Sequence, residues 1–91
     1  MALSSFDNLY SKSDSGTYTT TANYLYIIVI AQIGVGSQSV TCTKGSQLFK
    51  SGTIASSTGI VIFKNVEQGA VITYNKGTSE YYAGFRVIGV N

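Results

Sequence analysis

The sequence predicts an all-β protein, built as one small antiparallel β-sandwich or barrel. Runs rich in β-branched and aromatic residues recur along the chain, and turns rich in Gly, Asn and Ser separate them at roughly 8–12-residue spacing. No stretch places apolar residues at the helical period, so no long helix is expected. The 91 residues are enough for one domain with a thin core.

The N-terminal segment, residues 1–14, is expected to form a short arm ahead of a β-sandwich domain over residues 15–91. Ser, Asp and Asn dominate this segment, with Leu3, Phe6, Leu9 and Tyr10 interspersed. The spacing is compatible with one helical turn, with an arm that docks on a neighbour, or with a loosely ordered terminus.

Strand signals begin after Gly16, and each predicted strand ends at a turn rich in Gly, Asn, Ser or Lys. Residues 24–31 are the strongest strand because they combine aromatic and β-branched residues without interruption. Residues 53–59 are rich in Ser and Thr and are expected to form a loop. Gly84 and Gly89 predict a bend or bulge in the last strand. The predicted strands are residues 17–21, 24–31, 39–43, 47–50, 60–63, 70–74 and 80–90.

The strand over residues 24–31 is apolar on both faces, whereas a half-buried antiparallel strand has one polar face. A thin domain has one interior, so the second face must be covered by a subunit interface, by a loop or by the N-terminal arm. We expect a subunit interface, although strand register is not visible in sequence and the two faces could be exchanged. The expected core face is Leu25, Ile27, Val29 and Ala31. The candidate oligomer interface is Tyr24, Tyr26, Ile28 and Ile30.

The seven tyrosines are the chemically most distinctive residues of the chain. Tyrosine stacks on sugar rings and is enriched in recognition surfaces, although it is also an ordinary strand residue. Tyr74 adjoins a predicted turn, and Tyr82 lies opposite Tyr81 along the last strand. We therefore expect Tyr74 and Tyr82 to be candidate ligand-binding residues on an outer surface.

The inventory of reactive side chains predicts a protein that is not an enzyme and needs no cofactor. The chain has no histidine, and its four acidic residues are dispersed, so no acid–base pair is apparent. The single cysteine, Cys42, lacks a histidine partner and is expected to be a buried structural residue. The same composition makes a zinc site untenable.

Charge and hydropathy patterning exclude several classes of partner. The six basic residues are scattered and the net charge is only +2, which provides no footprint for nucleic acid. The longest apolar run is too short for a membrane helix. The free cysteine and the absence of a secretory-signal pattern predict folding in a reducing cytoplasm.

The order of these segments resembles the small jelly-roll modules of bacteriophage tail, fibre and head-decoration proteins. An opening Gly-Thr-Tyr-Thr strand is followed by a Tyr-rich central strand, a late hairpin around Gly69 and an aromatic-apolar last strand. The Gly69 hairpin is also similar to its counterpart in trimeric jelly rolls of the tumour-necrosis-factor type, where an acid usually follows the glycine. Here Ala70 stands in that place.

The resemblance implies a jelly-roll-like sandwich that forms a homo-oligomer, with a trimer favoured, on a virion assembled in the host cytoplasm. It implies a structural role, as a capsid decoration or auxiliary subunit or a tail-associated subunit, in contact with other virion proteins and without nucleic acid or membrane. Two alternatives stay open. One is a receptor- or glycan-binding module, and the other is an unrelated bacterial β-domain.

Overall fold

The computed structural model describes residues 6–32, 39–44, 58–76 and 84–91. Within these ranges every regular element is a β-strand, which confirms the all-β prediction. The predicted strand at 47–50, most of the loop at 53–59, and residues 80–83 lie outside the described part of the chain. The strands are β1 (Phe6–Lys12), β2 (Gly16–Thr19), β3 (Tyr24–Gln32), β4 (Ser39–Cys42), β5 (Thr58–Val66), β6 (Val71–Asn75) and β7 (Gly84–Val90).

The described strands form two antiparallel sheets, one with the order β1-β7-β3-β5 and the other with the order β2-β6-β4. Three of the strand pairs are nested along the chain, as in one long antiparallel ribbon: β1·β7, β2·β6 and β3·β5. Wrapping that ribbon over a core creates the additional pairs β3·β7 and β4·β6. Consecutive described strands therefore alternate between the sheets, as in a jelly roll.

The core lies between the two sheets and follows the two-residue alternation of the strands. From the four-stranded sheet, Ile27, Val29 and Phe63 are fully buried. From the three-stranded sheet, Val40 and Ile72 are fully buried as well. Burial of these side chains is the main favourable term in folding, at about 1.5–3 kcal/mol for each large apolar side chain.

Aromatic rings join the two sheets across this core. Tyr74 of β6 and Phe85 of β7 stack with ring centroids 5.0 Å apart. Tyr10 of β1 lies 5.6 Å from both Tyr18 of β2 and Phe85. Such pairs add about 0.5–1.5 kcal/mol each beyond the area they bury.

The N-terminal segment differs from the predicted arm, because Phe6–Lys12 form the edge strand β1. A β-bulge interrupts its pairing with β7 between Asn8 and Tyr10. The extra residue lets two consecutive apolar side chains, Leu9 and Tyr10, both pack against the core. Three of the polar residues that indicated an arm are solvent-exposed positions of this edge strand, namely Asp7, Asn8 and Ser11.

The turn between β5 and β6 confirms the turn predicted at 67–69. Gly69 has a φ of 89°, a conformation that glycine adopts without strain. The buried Thr20 side chain fastens this turn, since its hydroxyl donates to the Glu67 carbonyl at 2.7 Å and accepts from the Ala70 amide at 2.9 Å. Ala70 is fully buried, and an acidic residue in its place would carry a charge into the core.

Candidate functional site: the outer face of the four-stranded sheet

The strand β3 presents apolar side chains on both faces. Ile27, Val29 and Ala31 point into the core with no exposed surface, which confirms the predicted core face at these positions. Ile28 and Ile30, together with Tyr26, are half-buried on the opposite face of the sheet. The outer face of the four-stranded sheet is therefore the surface on which a partner could act.

Strand register organises this outer face into three rows across β1, β7, β3 and β5. The central residue, Ile28, has Ile88 on one side and Ile62 on the other. The rows are Ser11–Arg86–Ile30–Ile60, Asn8–Ile88–Ile28–Ile62 and Phe6–Val90–Tyr26–Lys64. Eight of these twelve positions are apolar or aromatic, and we call the set the isoleucine face.

The size of the isoleucine face follows from the geometry of a sheet. Strands lie about 4.8 Å apart and alternate residues about 6.7 Å apart, so the twelve positions cover roughly 400 Å², of which the apolar and aromatic positions make up about two thirds. A contiguous apolar patch of roughly 300–600 Å² on a small protein is commonly functional. The side chains that sequence reasoning did not assign to it are Phe6, Ile60, Ile62, Ile88 and Val90. The sequence held a signal for this set, because residues 60–63 are also apolar on both faces. Only strand register places them beside β3.

Exposure is uneven across the isoleucine face. Ile88 and Val90 on the interior strand β7 are only 6% and 2% exposed. Ile60 and Ile62 on the edge strand β5 are 63% and 40% exposed, and Phe6 on the other edge is 65% exposed. The apolar area still open to a partner is therefore concentrated at the edges of the sheet.

The polar residues of the isoleucine face lie around its apolar centre. Asn8 and Ser11 are on β1, Lys64 occupies a corner, and Arg86 lies in an end row. All four are exposed. An apolar centre with a polar rim is the usual anatomy of a protein–protein interface.

The outer face of the three-stranded sheet has a different chemistry. Thr17, Thr73 and Thr41 lie side by side across β2, β6 and β4. Thr19 lies beside Val71 in the next row, and Ser39 beside Asn75 in the row on the other side. Hydroxyl groups on this face can bond to water, so it needs no apolar cover. We call it the threonine face.

The structure corrects the predicted faces at the start of β3. Tyr24 packs against the core and not on the outer face with Tyr26. Its ring passes so close to Gly89 that a Cβ there would lie 2.5 Å from it. Leu25, expected in the core, is 36% exposed. The alternation of inward and outward side chains is irregular at the start of β3 because the paired strand β5 is irregular there. Asn65 has a φ of 53°, Lys64 and Asn65 are both exposed, and Val66 then turns inward.

Tyr74 is also not at the predicted outer surface, because it is 1% exposed and stacked on Phe85. Burial raises the pKa of its phenol, and the nearby Asp14 charge raises it further. Its hydroxyl has no hydrogen-bond partner within the described part of the chain. Tyr82 lies outside the described residues.

Reactive groups in the described ranges are dispersed. No cluster of three or more metal-ligating side chains occurs there. Cys42 is buried, its thiol donates to the Lys44 carbonyl at 2.9 Å, and burial raises its pKa. The Ser15 amide holds the pKa of Asp14 below its ordinary value, with help from Lys76 at 3.2 Å.

A shallow cleft of about 270 Å³ lies where β3 begins and β5 and β7 end. Two asparagine side chains in the cleft form hydrogen bonds to backbone groups of other segments. The Asn91 side chain accepts from the Leu25 amide at 2.9 Å and donates to the Asn23 carbonyl at 3.1 Å. The Asn23 side chain accepts from the Gln68 amide at 2.7 Å. These bonds give the cleft a structural role at the end of the sandwich.

Comparison with protein-family models, curated proteins and solved structures finds no significant match to this chain. The described part of the chain contains no helix that is long and apolar enough to cross a membrane. The class of protein is therefore defined by its fold and surface alone. It is a small β-sandwich with one apolar and one hydroxyl-bearing outer face.

Proposed function

We propose that this protein is a non-enzymatic structural subunit of a virion that acts by self-assembly and by docking on neighbouring virion proteins. The observation that carries the assembly role is the isoleucine face. It adds a second apolar layer to a domain whose core already lies between the sheets. Covering such a face with protein stabilises the assembly by about 25 cal/mol for each Å² removed from water.

The virion setting rests on the resemblance of the strand motifs to phage jelly-roll modules, either capsid decoration or auxiliary proteins or tail-associated subunits. The nested strand pairing is compatible with that resemblance. The non-enzymatic role rests on a chain without histidine and on acids that lie apart, Asp7 on β1, Asp14 after it and Glu67 beyond β5.

The assembly role can be tested by light scattering after size exclusion on matched variants. Ile62→Lys puts a charge in the central row of the isoleucine face, and Thr73→Lys puts one at the centre of the threonine face. We expect the wild type to be an oligomer, Ile62→Lys to fall to the 9.7 kDa monomer, and Thr73→Lys to keep the wild-type mass. Circular dichroism confirms that each variant is folded.

Two results would contradict the assembly role. One is a wild type that stays monomeric at high micromolar concentration. The other is a folded Ile62→Lys variant with unchanged mass. The virion setting is tested separately, by mass spectrometry of purified particles produced from the genome that encodes the chain. Absence of the chain from those particles would remove the virion setting and leave the assembly role in place.

The glycan-binding alternative named Tyr74 and Tyr82 as candidate residues. Tyr82 lies outside the described residues, and Tyr74 no longer supports the alternative. That ring is enclosed between the sheets, and no sugar could stack on it without opening the core.

A further inference from the structure

The isoleucine face is not uniformly available, and its most exposed pair of neighbouring residues lies on β5. Ile60 and Ile62 keep 63% and 40% of their surfaces exposed. The residues beside them on β3, Ile28 and Ile30, are already half-buried by their own sheet. A partner that buries the β5 edge therefore removes more apolar surface from water than one placed over the centre.

The edges of the two sheets differ in how well they resist pairing with another strand. Edge strands are usually protected by bulges, charges or shortness. β1 has a bulge at Leu9 and carries Asp7 and Lys12. β2 and β4 are only four residues long. β5 has nine residues and pairs with β3 without a register shift, and among the described strands β3 is its one neighbour.

Protection of β5 begins only near its end. Lys64 is exposed, and Asn65 adopts a left-handed φ of 53° that breaks the regular extended edge. The stretch from Gly59 to Phe63 carries no charge. On the side away from β3, its backbone groups pair with no described strand, and another strand can satisfy their donors and acceptors.

We propose that two copies of this chain pair antiparallel through their β5 edges, with Ile60 of each copy opposite Ile62 of the other. A twofold axis at Val61 produces this register, and it places Gly59 opposite Phe63. Isoleucine then meets isoleucine on the outer face, and Lys64 lies across from Thr58 and not from another lysine. The segment is thus complementary to itself, as a twofold contact requires.

The inference rests on the proposed assembly role and specifies its geometry. Pairing through β5 joins two four-stranded sheets into one and makes their isoleucine faces continuous. The combined face covers roughly 800 Å², which is the area one partner contributes to a standard protein–protein interface. The basic unit is then a dimer, in place of the trimer that the resemblance implies, and its combined face docks on the neighbouring virion protein.

Disulfide trapping distinguishes this contact from any other. Directly opposite residues have Cα atoms about 5 Å apart, within disulfide range, whereas identical residues displaced along the strand are about 8 Å apart and beyond it. Ile60→Cys and Ile62→Cys are both at exposed positions and should fold. They are mixed in the reduced state, oxidised and separated on a non-reducing gel. The wild type reports any cross-link through Cys42, and Phe6→Cys serves as the control on the opposite edge.

We expect the mixture to cross-link roughly tenfold more than either variant alone, because only the mixed pair meets the distance requirement. An oligomer in light scattering without a mixed cross-link would overturn the β5 contact and leave the assembly role standing. Dominant cross-linking by Ile28→Cys alone would overturn it in favour of face-to-face packing. A monomeric wild type would contradict the assembly role itself, and the β5 contact with it.

Discussion

The outer faces of the two sheets are both built around β-branched side chains but differ in polarity. The isoleucine face centres on Ile28, Ile62 and Ile88, and the threonine face centres on Thr17, Thr41 and Thr73. Isoleucine and threonine are both β-branched, so both suit an extended strand. Threonine carries a hydroxyl where isoleucine carries an ethyl group, so the threonine side chains can hydrogen-bond to water and the isoleucine side chains cannot. Strand formation and surface chemistry are therefore separate properties of this chain.

The largest expected effect separates the inner from the outer face of one strand. Phe63→Ala empties a fully buried site on β5 and should lower the free energy of unfolding by about 3–5 kcal/mol. Ile60→Ala on the same strand removes a side chain that is 63% exposed and should cost less than about 1 kcal/mol. Urea denaturation measures both, at a protein concentration where the chain is monomeric. Equal losses would mean that the outer face is as tightly packed as the core.

A second comparison concerns the corrected alternation at the start of β3. Val29→Ala should cost about 1.5–3 kcal/mol, because Val29 has no exposed surface. Leu25→Ala removes a larger side chain, but Leu25 is 36% exposed, so we expect a loss of about 1 kcal/mol. Urea denaturation of the two single variants tests this ranking. A larger loss for Leu25→Ala would restore the simple alternation that the sequence predicted.

A smaller effect is expected when the isoleucine face is made more like the threonine face. The double variant Ile60→Thr/Ile62→Thr keeps β-branching and adds two hydroxyls to the isoleucine face. It should fold normally and associate about fivefold more weakly for each substitution, which corresponds to about 1 kcal/mol per site. Sedimentation equilibrium gives the association constant. Unchanged association would show that the apolar character of this face does not hold the assembly together.

The converse variant serves as its control. Thr17→Ile, Thr41→Ile and Thr73→Ile together place a row of isoleucines on the threonine face. The folded protein then has two apolar outer faces, and we expect assemblies larger than those of the wild type or precipitation. A variant with the wild-type mass would show that a row of three isoleucines is too small to recruit a partner.

The smallest expected effect concerns the aromatic pair that joins the sheets. Tyr74→Phe removes a buried hydroxyl without a partner in the described residues, so stability at neutral pH should be unchanged or rise by up to about 1 kcal/mol. Burial raises the pKa of Tyr74 above its ordinary value of 10.0. The unfolded chain therefore ionises first, and stability falls as the pH rises above 10 toward the folded-state pKa.

Urea titrations at about pH 8 and about pH 11 check this dependence. The Tyr74→Phe variant should lose less stability between the two values than the wild type. Part of the loss should persist, because burial also raises the pKa of Tyr24. An identical loss in both proteins would mean that the Tyr74 phenol ionises as easily in the folded state as in the unfolded chain.

Much of the fold could be predicted because strand formation depends on local composition. The central strand, the strands around Val40, Ile72 and Val87, and the turn at Gly69 all lie where the pattern indicates. The structure differs from the predicted arm over Phe6–Lys12, because these residues form an edge strand in which most exposed positions are polar. The outer-surface prediction for Tyr74 was wrong because its position beside a turn did not reveal its packing on Phe85, which lies in the other sheet.

By itself, the sequence determined that the chain forms strands, where most of them begin and end, and that one strand is apolar on both faces. These properties depend on neighbouring residues, so local pattern is sufficient. Only the tertiary structure decided which strands are adjacent, which face of β3 is buried, and that Ile60, Ile62, Ile88 and Phe6 join Ile28 on one surface. Those properties depend on pairing between distant segments, where a shift of one residue exchanges the two faces of a strand.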